Sequence, residues 1–234
     1  MESGVNQLTH WYYQNKKKPL LKYIHKQINK NSNQLSVLDI GSGSGFFSYE
    51  IEKKYKNDLS GILLCDIGYS EGEIEEVKDQ FVKKTALLPE KIENTVIIMM
   101  DLLEHIEHDE EFIKDLLSRC GENTYFFITV PAFKSIWSGH DVYLGHYRRH
   151  TIKTISKLLK DINIGKTYYI FMWLFPAAWL YRKLIKSDKD GAQSDMKPIP
   201  GFINAALRFF CSIEFLYNRW NKVFGLTCVL EGSK

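Results

Sequence analysis

This 234-residue sequence lacks both a paired-cysteine spacing and an apolar run long enough to cross a bilayer. Its four cysteines, Cys65, Cys120, Cys211 and Cys228, are dispersed and form no CxxC pair. That argues against a zinc site and a disulfide framework, and it favours a reducing compartment. The longest apolar run, Tyr168 to Tyr181, has 14 residues and contains Pro176, whereas a spanning helix needs about 20. The start, Met1 to Asn6, has no charged segment followed by an apolar core, so no secretory leader is expected. Internal repeats and low-complexity tracts are missing too, and 44% hydrophobic with 25% charged residues excludes wholesale disorder. The expectation is a cytoplasmic chain, with peripheral contact at the inner membrane face as its one membrane option.

Charge of one sign is scarce in each part. Residues 1–141 carry 16 Lys/Arg against 22 Asp/Glu, a net of −6, whereas residues 142–234 carry 15 against 6, a net of +9. A basic second part points to an anionic partner: a phosphorylated substrate, a membrane surface or nucleic acid. Along the chain, short apolar runs alternate with helical spacing. Strands are predicted at 35–40, 61–67, 80–85 (weakly), 95–101, 123–131, 166–172 and 226–231, and helices at 9–31, 46–55, 71–79, 110–117 and 151–159. Residues 134–150 read as a loop dense in His, Tyr and Arg. Near-continuous apolar strands separated by helices predict a largely parallel sheet covered on both faces.

The strongest chemical signal is Val37 to Gly45 (VLDIGSGSG). Glycines at 41, 43 and 45 allow a sharp turn and close backbone approach to a ligand, and a helix N-terminus follows. A lone glycine-rich turn is weak evidence, because many serve geometry alone. Three acids sharpen it. Asp39 ends the first strand, where it can receive a ligand amino group directly or through water. Asp66 ends the second, 21 residues after Gly45, where an acid accepts ribose hydroxyls. Asp101 ends the fourth, on the same carboxyl edge. The spacing is G-x-G-x-G, with Phe46 where a dinucleotide binder has its last glycine, so adenosine with an amino-acid tail fits better than pyrophosphate.

These residues resemble the first motif of class I S-adenosylmethionine-dependent methyltransferases, and Asp66 matches their ribose-binding acid. Asp101 to Ile106 (DLLEHI) resembles the D-x-L-E-H-I of the ubiquinone-biosynthesis-like branch. His10 to Tyr13 (HWYY), Val130 to Phe133 (VPAF) and His140 to Thr151 (HDVYLGHYRRHT) resemble a bacterial subgroup carrying H-W-W-F, V-P-A and H-D-x-x-x-G-H-x-R-R-Y-T. That subgroup often accompanies surface-glycan or lipid genes. The resemblance runs over nearly the whole chain. It departs at Lys84-Thr85-Ala86, where the family has an adenine-contacting Asp, and at His150, where the subgroup has Tyr.

The resemblance implies a Rossmann-like, seven-stranded, mostly parallel sheet with helices on both faces. One domain, 1–234, would hold a core of 32–170 and 224–234, a helical lid at 5–31 and an apolar-basic helical insertion at about 173–223. It implies S-adenosyl-L-methionine as cofactor, held by Asp39, Gly41, Ser42, Gly43, Gly45, Asp66, Ile67, Asp101, Leu102 and His105. His105 serves either the ligand or a helix cap. Trp11, Tyr12 and Tyr13 form either an aromatic lid or a helix pinned to the core.

The segment 140–150 packs three histidines, an Asp and two arginines into eleven residues. Its functional reading makes His140 or His146 a general base, with Asp141 orienting a ring and Arg148 or Arg149 gripping an anion. Its structural reading pairs Asp141 with an arginine. The H-D-x4-H spacing matches no tetrahedral pattern, so no metal is expected. Residues 170–224 are either a membrane-touching surface, an extra helical layer or a dimer interface. The expected activity is methyl transfer, at oxygen, to a small-molecule, glycan- or lipid-linked acceptor. The alternative is a non-catalytic module on the same fold that docks on membrane or an anionic partner, and the intact Asp39, glycine loop and Asp66 weigh against it. No nucleic-acid partner is expected, since no N-P-P-Y-type or catalytic-cysteine motif is present.

Overall fold

A computed structural model describes residues 5–75, 81–184 and 198–234. In chain order the elements are α1 (Trp11–Lys30), β1 (Leu35–Ile40), α2 (Phe46–Tyr55), β2 (Leu59–Cys65), α3 (Glu71–Glu75), β3 (Val82–Thr85) and β4 (Thr95–Met100). There follow α4 (Asp109–Arg119), β5 (Thr124–Pro131), α5 (Gly139–Tyr143), α6 (Ile152–Leu158), β6 (Asn163–Ile170), α7 (Phe175–Leu184), α8 (Gly201–Glu214) and β7 (Thr227–Ser233). The strands form one sheet in the order β3-β2-β1-β4-β5-β7-β6, with only β7 antiparallel to its neighbours. The expected fold class is the one observed.

Alternation along the central strands explains the two covering layers. Val37, Val96 and Ile98 face one side with Ile24 and Tyr23 of α1, Ile51 of α2 and Cys211 of α8. Leu38, Ile97 and Met99 face the other with Ile113 and Leu116 of α4 and Ile155 of α6. Every residue of β4 is buried, which is why it reads as a continuous apolar run without a period of two. Each fully buried Ile or Leu contributes roughly 1.5–3 kcal/mol.

Chain reversal between β2-β1 and β4-β5 leaves a crevice at the carboxyl edge of β1 and β4, where open α/β sheets take their ligands. The carboxyl ends of β1, β2 and β4 present Asp39, Asp66 and Asp101 there. Several expected limits shift. The seventh strand runs to Ser233 because it pairs with β5 from Tyr125↔Ser233 to Pro131↔Thr227, and the sixth is Asn163–Ile170 rather than 166–172 because it pairs in turn with β7 from Asn163↔Ser233 to Ile170↔Thr227. The helix expected at 71–79 is described only over Glu71–Glu75, and Asp79 and Gln80 lie outside the described residues. The loop at 134–150 contains a 3-10 turn at Lys134–Ile136 and the short α5.

Between β6 and β7, α8 packs on α1. Asn204 Oδ1 accepts from the Trp11 backbone at 2.8 Å, and Ser212 donates to Asn15 Oδ1 at 3.2 Å. No helix among the described residues is long and apolar enough to cross a membrane.

Candidate active site

The glycine loop takes its shape from left-handed backbone at Gly41 (φ +71°) and Gly45 (φ +74°). A Cβ at Gly41 would stand 2.6 Å from Leu102 Cδ1, so the residue after Asp101 packs directly on the loop. Gly43 has open space where a side chain would stand. Beneath the loop, the Asp39 carboxylate is 2% exposed and accepts from Ser48 Oγ at 2.7 Å. Burial pushes the Asp39 carboxyl up to about 7, helped by the charge of Asp66 and opposed by the Ser48 hydroxyl.

Asp66 binds the loop to its own strand end. It accepts from Gly43 N–H at 2.8 Å through one oxygen and from Gly68 N–H at 2.8 Å through the other. Ser42 Oγ meets the Tyr69 hydroxyl at 2.8 Å, and Lys84 stands 4.6 Å from the Tyr69 ring centre. Ile67 is 94% exposed at this edge, a bare apolar side chain beside Asp66. The segment before α1 reaches the start of α2: Ser44 Oγ donates to Gln7 Oε1 at 2.8 Å, next to a cavity of about 320 Å³.

Asp101 has φ +58°, a strained backbone for a non-glycine residue. Its carboxylate accepts from Thr129 Oγ1 at 3.0 Å and from the Tyr12 hydroxyl at 3.1 Å, and it pairs with Lys16. Burial disfavours the charge, but Lys16 and these hydrogen bonds outweigh it and hold the Asp101 carboxyl below its ordinary value. Lys16 is fully buried. Sequence reasoning passed over it as part of a lysine-rich helix; its signal was the four-residue spacing from Tyr12 on one face of α1. Trp11 packs edge-on to Phe171, with ring centres 5.6 Å apart, and Tyr12 stacks on Phe171 at 5.3 Å. The aromatic cluster is thus pinned to the core and still delivers a hydroxyl to the edge.

The 138–150 segment is organised by Asp141, which is fully buried. It accepts from Ser138 N–H at 2.9 Å in a capping box and from Arg149 Nε at 2.7 Å and Arg149 Nη2 at 3.1 Å, and its Oδ1 lies 2.9 Å from His146 Nδ1. Arg148 donates to Glu107 O at 2.6 Å and pairs with Asp109 at 2.5 Å. Both arginines therefore meet acceptors of this chain, the structural reading of their charge. His140 lies in the first turn of α5.

The segment crosses to the Asp101 end of the edge. Tyr147 N–H donates to Glu104 O at 2.8 Å, and the His105 and His146 rings meet edge-on with centres 4.6 Å apart. His105 is lowered from its ordinary pKa first by burial and then by the nearby His146. Glu104, absent from the sequence-based site, is fully buried between Asp101 and the loop. Burial, with the charge of Asp101, drives its carboxyl well above the usual range. Its sequence signal was its place as the Glu of the D-x-L-E-H-I resemblance, beside His105.

The sequence pattern described as a methyltransferase domain matches residues 10–164. No curated protein sequence matches the chain. Among solved structures, it is similar to a SAM-dependent methyltransferase from Archaeoglobus fulgidus, at 17% identity and TM-score 0.50, covering 93% of this chain and 94% of that one. It is similar to coclaurine N-methyltransferase bound to N-methylheliamine and SAH, at 17% identity and TM-score 0.56, covering 93% and 70%. The [4+2]-cyclase SpnF shares the fold at 13% identity and TM-score 0.53, covering 92% and 80%.

Proposed function

The chain belongs to the methyltransferase-domain family, and on that premise we propose that it transfers a methyl group from S-adenosyl-L-methionine to an acceptor oxygen. The carrying observation is Asp39, a carboxylate 2% exposed beneath a glycine loop that Asp66 fastens from the other side. The residues present suit this cofactor. Among the described residues Asp39 has no counter-charge, which an ammonium group would supply, Gly43 leaves the loop open, and exposed Ile67 offers apolar cover for a flat ring. In this reading Asp39, Gly41, Ser42, Gly43, Gly45, Asp66, Ile67 and Leu102 form the cofactor side. Asp101, closed by Lys16 and Tyr12, frames the crevice where the two substrates meet.

The bound cofactor supplies an electrophilic methyl group on a sulfonium. What the chain adds is positioning and exclusion of water. His146, with Nδ1 fixed by Asp141, keeps Nε2 as its remaining ring nitrogen to receive a hydroxyl proton from the acceptor. Arg148 fastens the segment to Asp109, and His140 lies on the neighbouring α5 turn.

Calorimetric titration tests the reading. The cofactor and its demethylated product should bind with one-to-one stoichiometry, and affinity should rise with pH up to about 7, then level off. The sign follows from linkage: an ammonium group favours ionised Asp39, so below its raised value binding must first expel a proton. Asp39→Asn should bind more weakly and lose the slope. No binding at any pH would end the methyltransferase reading and leave the docking-module alternative.

We also propose that the acceptor is carried on a lipid or glycan. The support is the apolar surface of the insertion, where Phe202, Phe209, Phe210, Leu216 and Trp220 are exposed, together with the basic last turn of α7 at Arg182 and Lys183. The protein should co-sediment with anionic vesicles and release as salt rises, because such attraction is screened within about 10 Å at 0.1 M. Absence of sedimentation at low salt would remove the lipid-carried acceptor and leave a glycan or a free small molecule.

A further inference from the structure

We propose that Glu104, His105 and His146 form a binding site for one divalent cation of the zinc class. Each offers one ligand atom, and these atoms lie within 4.8 Å of one another. Zinc-class ions bind imidazole nitrogen and carboxylate oxygen at about 2.0–2.2 Å, which sets neighbouring ligand atoms about 3–4 Å apart. His105 also meets the Leu144 backbone, so a small shift of its ring within that contact has to close the difference. Two imidazoles and one carboxylate suit zinc, manganese or iron better than magnesium or calcium, which prefer oxygen alone.

Charge accounting singles out Glu104. Three charged groups act on it, Asp101, Lys16 and Arg149, and both cations are already paired, Lys16 with Asp101 and Arg149 with Asp141. Glu104 has no such match, and its fully buried carboxylate oxygens have no hydrogen-bond partner outside Glu104 itself among the described residues. A buried carboxylate whose nearby cations are already paired with other acids is costly. A divalent ion between it and the two rings supplies what is missing.

The second observation is the support behind His146. Its Nδ1 is held by Asp141, whose other contacts are the Ser138 amide and Arg149. A carboxylate behind a histidine ring is how metal-ligating imidazoles are oriented and made more basic. His105 lies at the exposed end of the group and Glu104 at the buried end. Three protein ligands leave a position open to the acceptor's oxygen.

This assignment does not rest on methyl transfer. It does bear on the proton, because an ion at His146 Nε2 occupies the nitrogen that would otherwise take it. Tag-free full-length protein, dialysed against chelator, should bind one equivalent of Co²⁺ with visible absorption of low-coordinate cobalt, and Zn²⁺ should displace it. Glu104→Gln and His105→Ala should each weaken Zn²⁺ binding at least tenfold. Asp141→Asn should weaken it roughly 10–100-fold through the supporting carboxylate. His25→Ala, on the outer face of α1, should bind like the parent. Lack of one-to-one binding, or affinity unchanged in folded His105→Ala, overturns the site. Cofactor titration on the same stripped protein separates that failure from failure of the methyltransferase reading.

Discussion

Asp141→Ala is expected to lower the stability of the chain by about 3–5 kcal/mol, the usual cost of breaking a buried ion pair by removing one partner. The side chain is fully buried, and the Arg149 side chain it leaves behind is only 5% exposed, so water cannot replace the lost carboxylate. The Ser138 cap and the His146 contact go with it. For a chain of this length the melting temperature should fall by roughly 6–20 °C. The pH dependence follows from the same contacts. Burial raises the Asp141 carboxyl, but hydrogen bonds from His146 and Arg149 and the arginine's charge outweigh it and hold the group far below its ordinary value. The folded pKa is depressed, so the contribution is complete above the unfolded value of about 4 and fades as pH falls below it. The gap between parent and variant should therefore narrow in acid. Thermal melts at pH 7 and at pH 3 give the measurement. An undiminished gap at pH 3 would contradict the ion-pair account, and an unchanged melting temperature at pH 7 would remove Asp141 as the organiser of the segment.

Asp66→Ala should weaken cofactor binding by about 1–3 kcal/mol, roughly 5- to 150-fold, through loss of charge-assisted hydrogen bonds. The structure adds a second route to the same loss. Asp66 also accepts the Gly43 and Gly68 amides, so the alanine variant frees the loop that the cofactor must meet. Asp66→Asn is the intermediate case, because its single amide oxygen still accepts one of the two backbone N–H groups but binds a hydroxyl pair less strongly. Its affinity should fall between parent and alanine. Calorimetry showing parent-like affinity in a folded alanine variant would remove the ribose assignment.

Which parts of the site were legible depends on the distance over which they are specified. Asp39, the three glycines and Asp66 are local: a buried strand ends, the backbone must turn, and the next strand ends in an acid. Apolar run length and glycine spacing display each of these within a few residues. The ends of β6 and β7 were not legible, because pairing across the sheet, Phe127↔Glu231 among others, sets where those strands stop. In the same way, 134–150 lacks a helical period long enough to reveal α5, which has five residues and a Ser138–Asp141 capping box.

The sequence by itself determined the alternation of strand and helix, the glycine turn, the acids at three strand ends and the uneven charge. Apolar period and conformational freedom act on near neighbours, and composition needs no fold at all. Tertiary structure alone decided that Lys16 closes on Asp101 across 85 positions, that Asp141 collects His146 and Arg149, and that Glu104 is sealed beside two histidine rings. Those pairings follow from which element packs over the carboxyl edge. A buried charge takes its partner from whatever stands within a few ångströms, and the order of residues along the chain does not encode that distance.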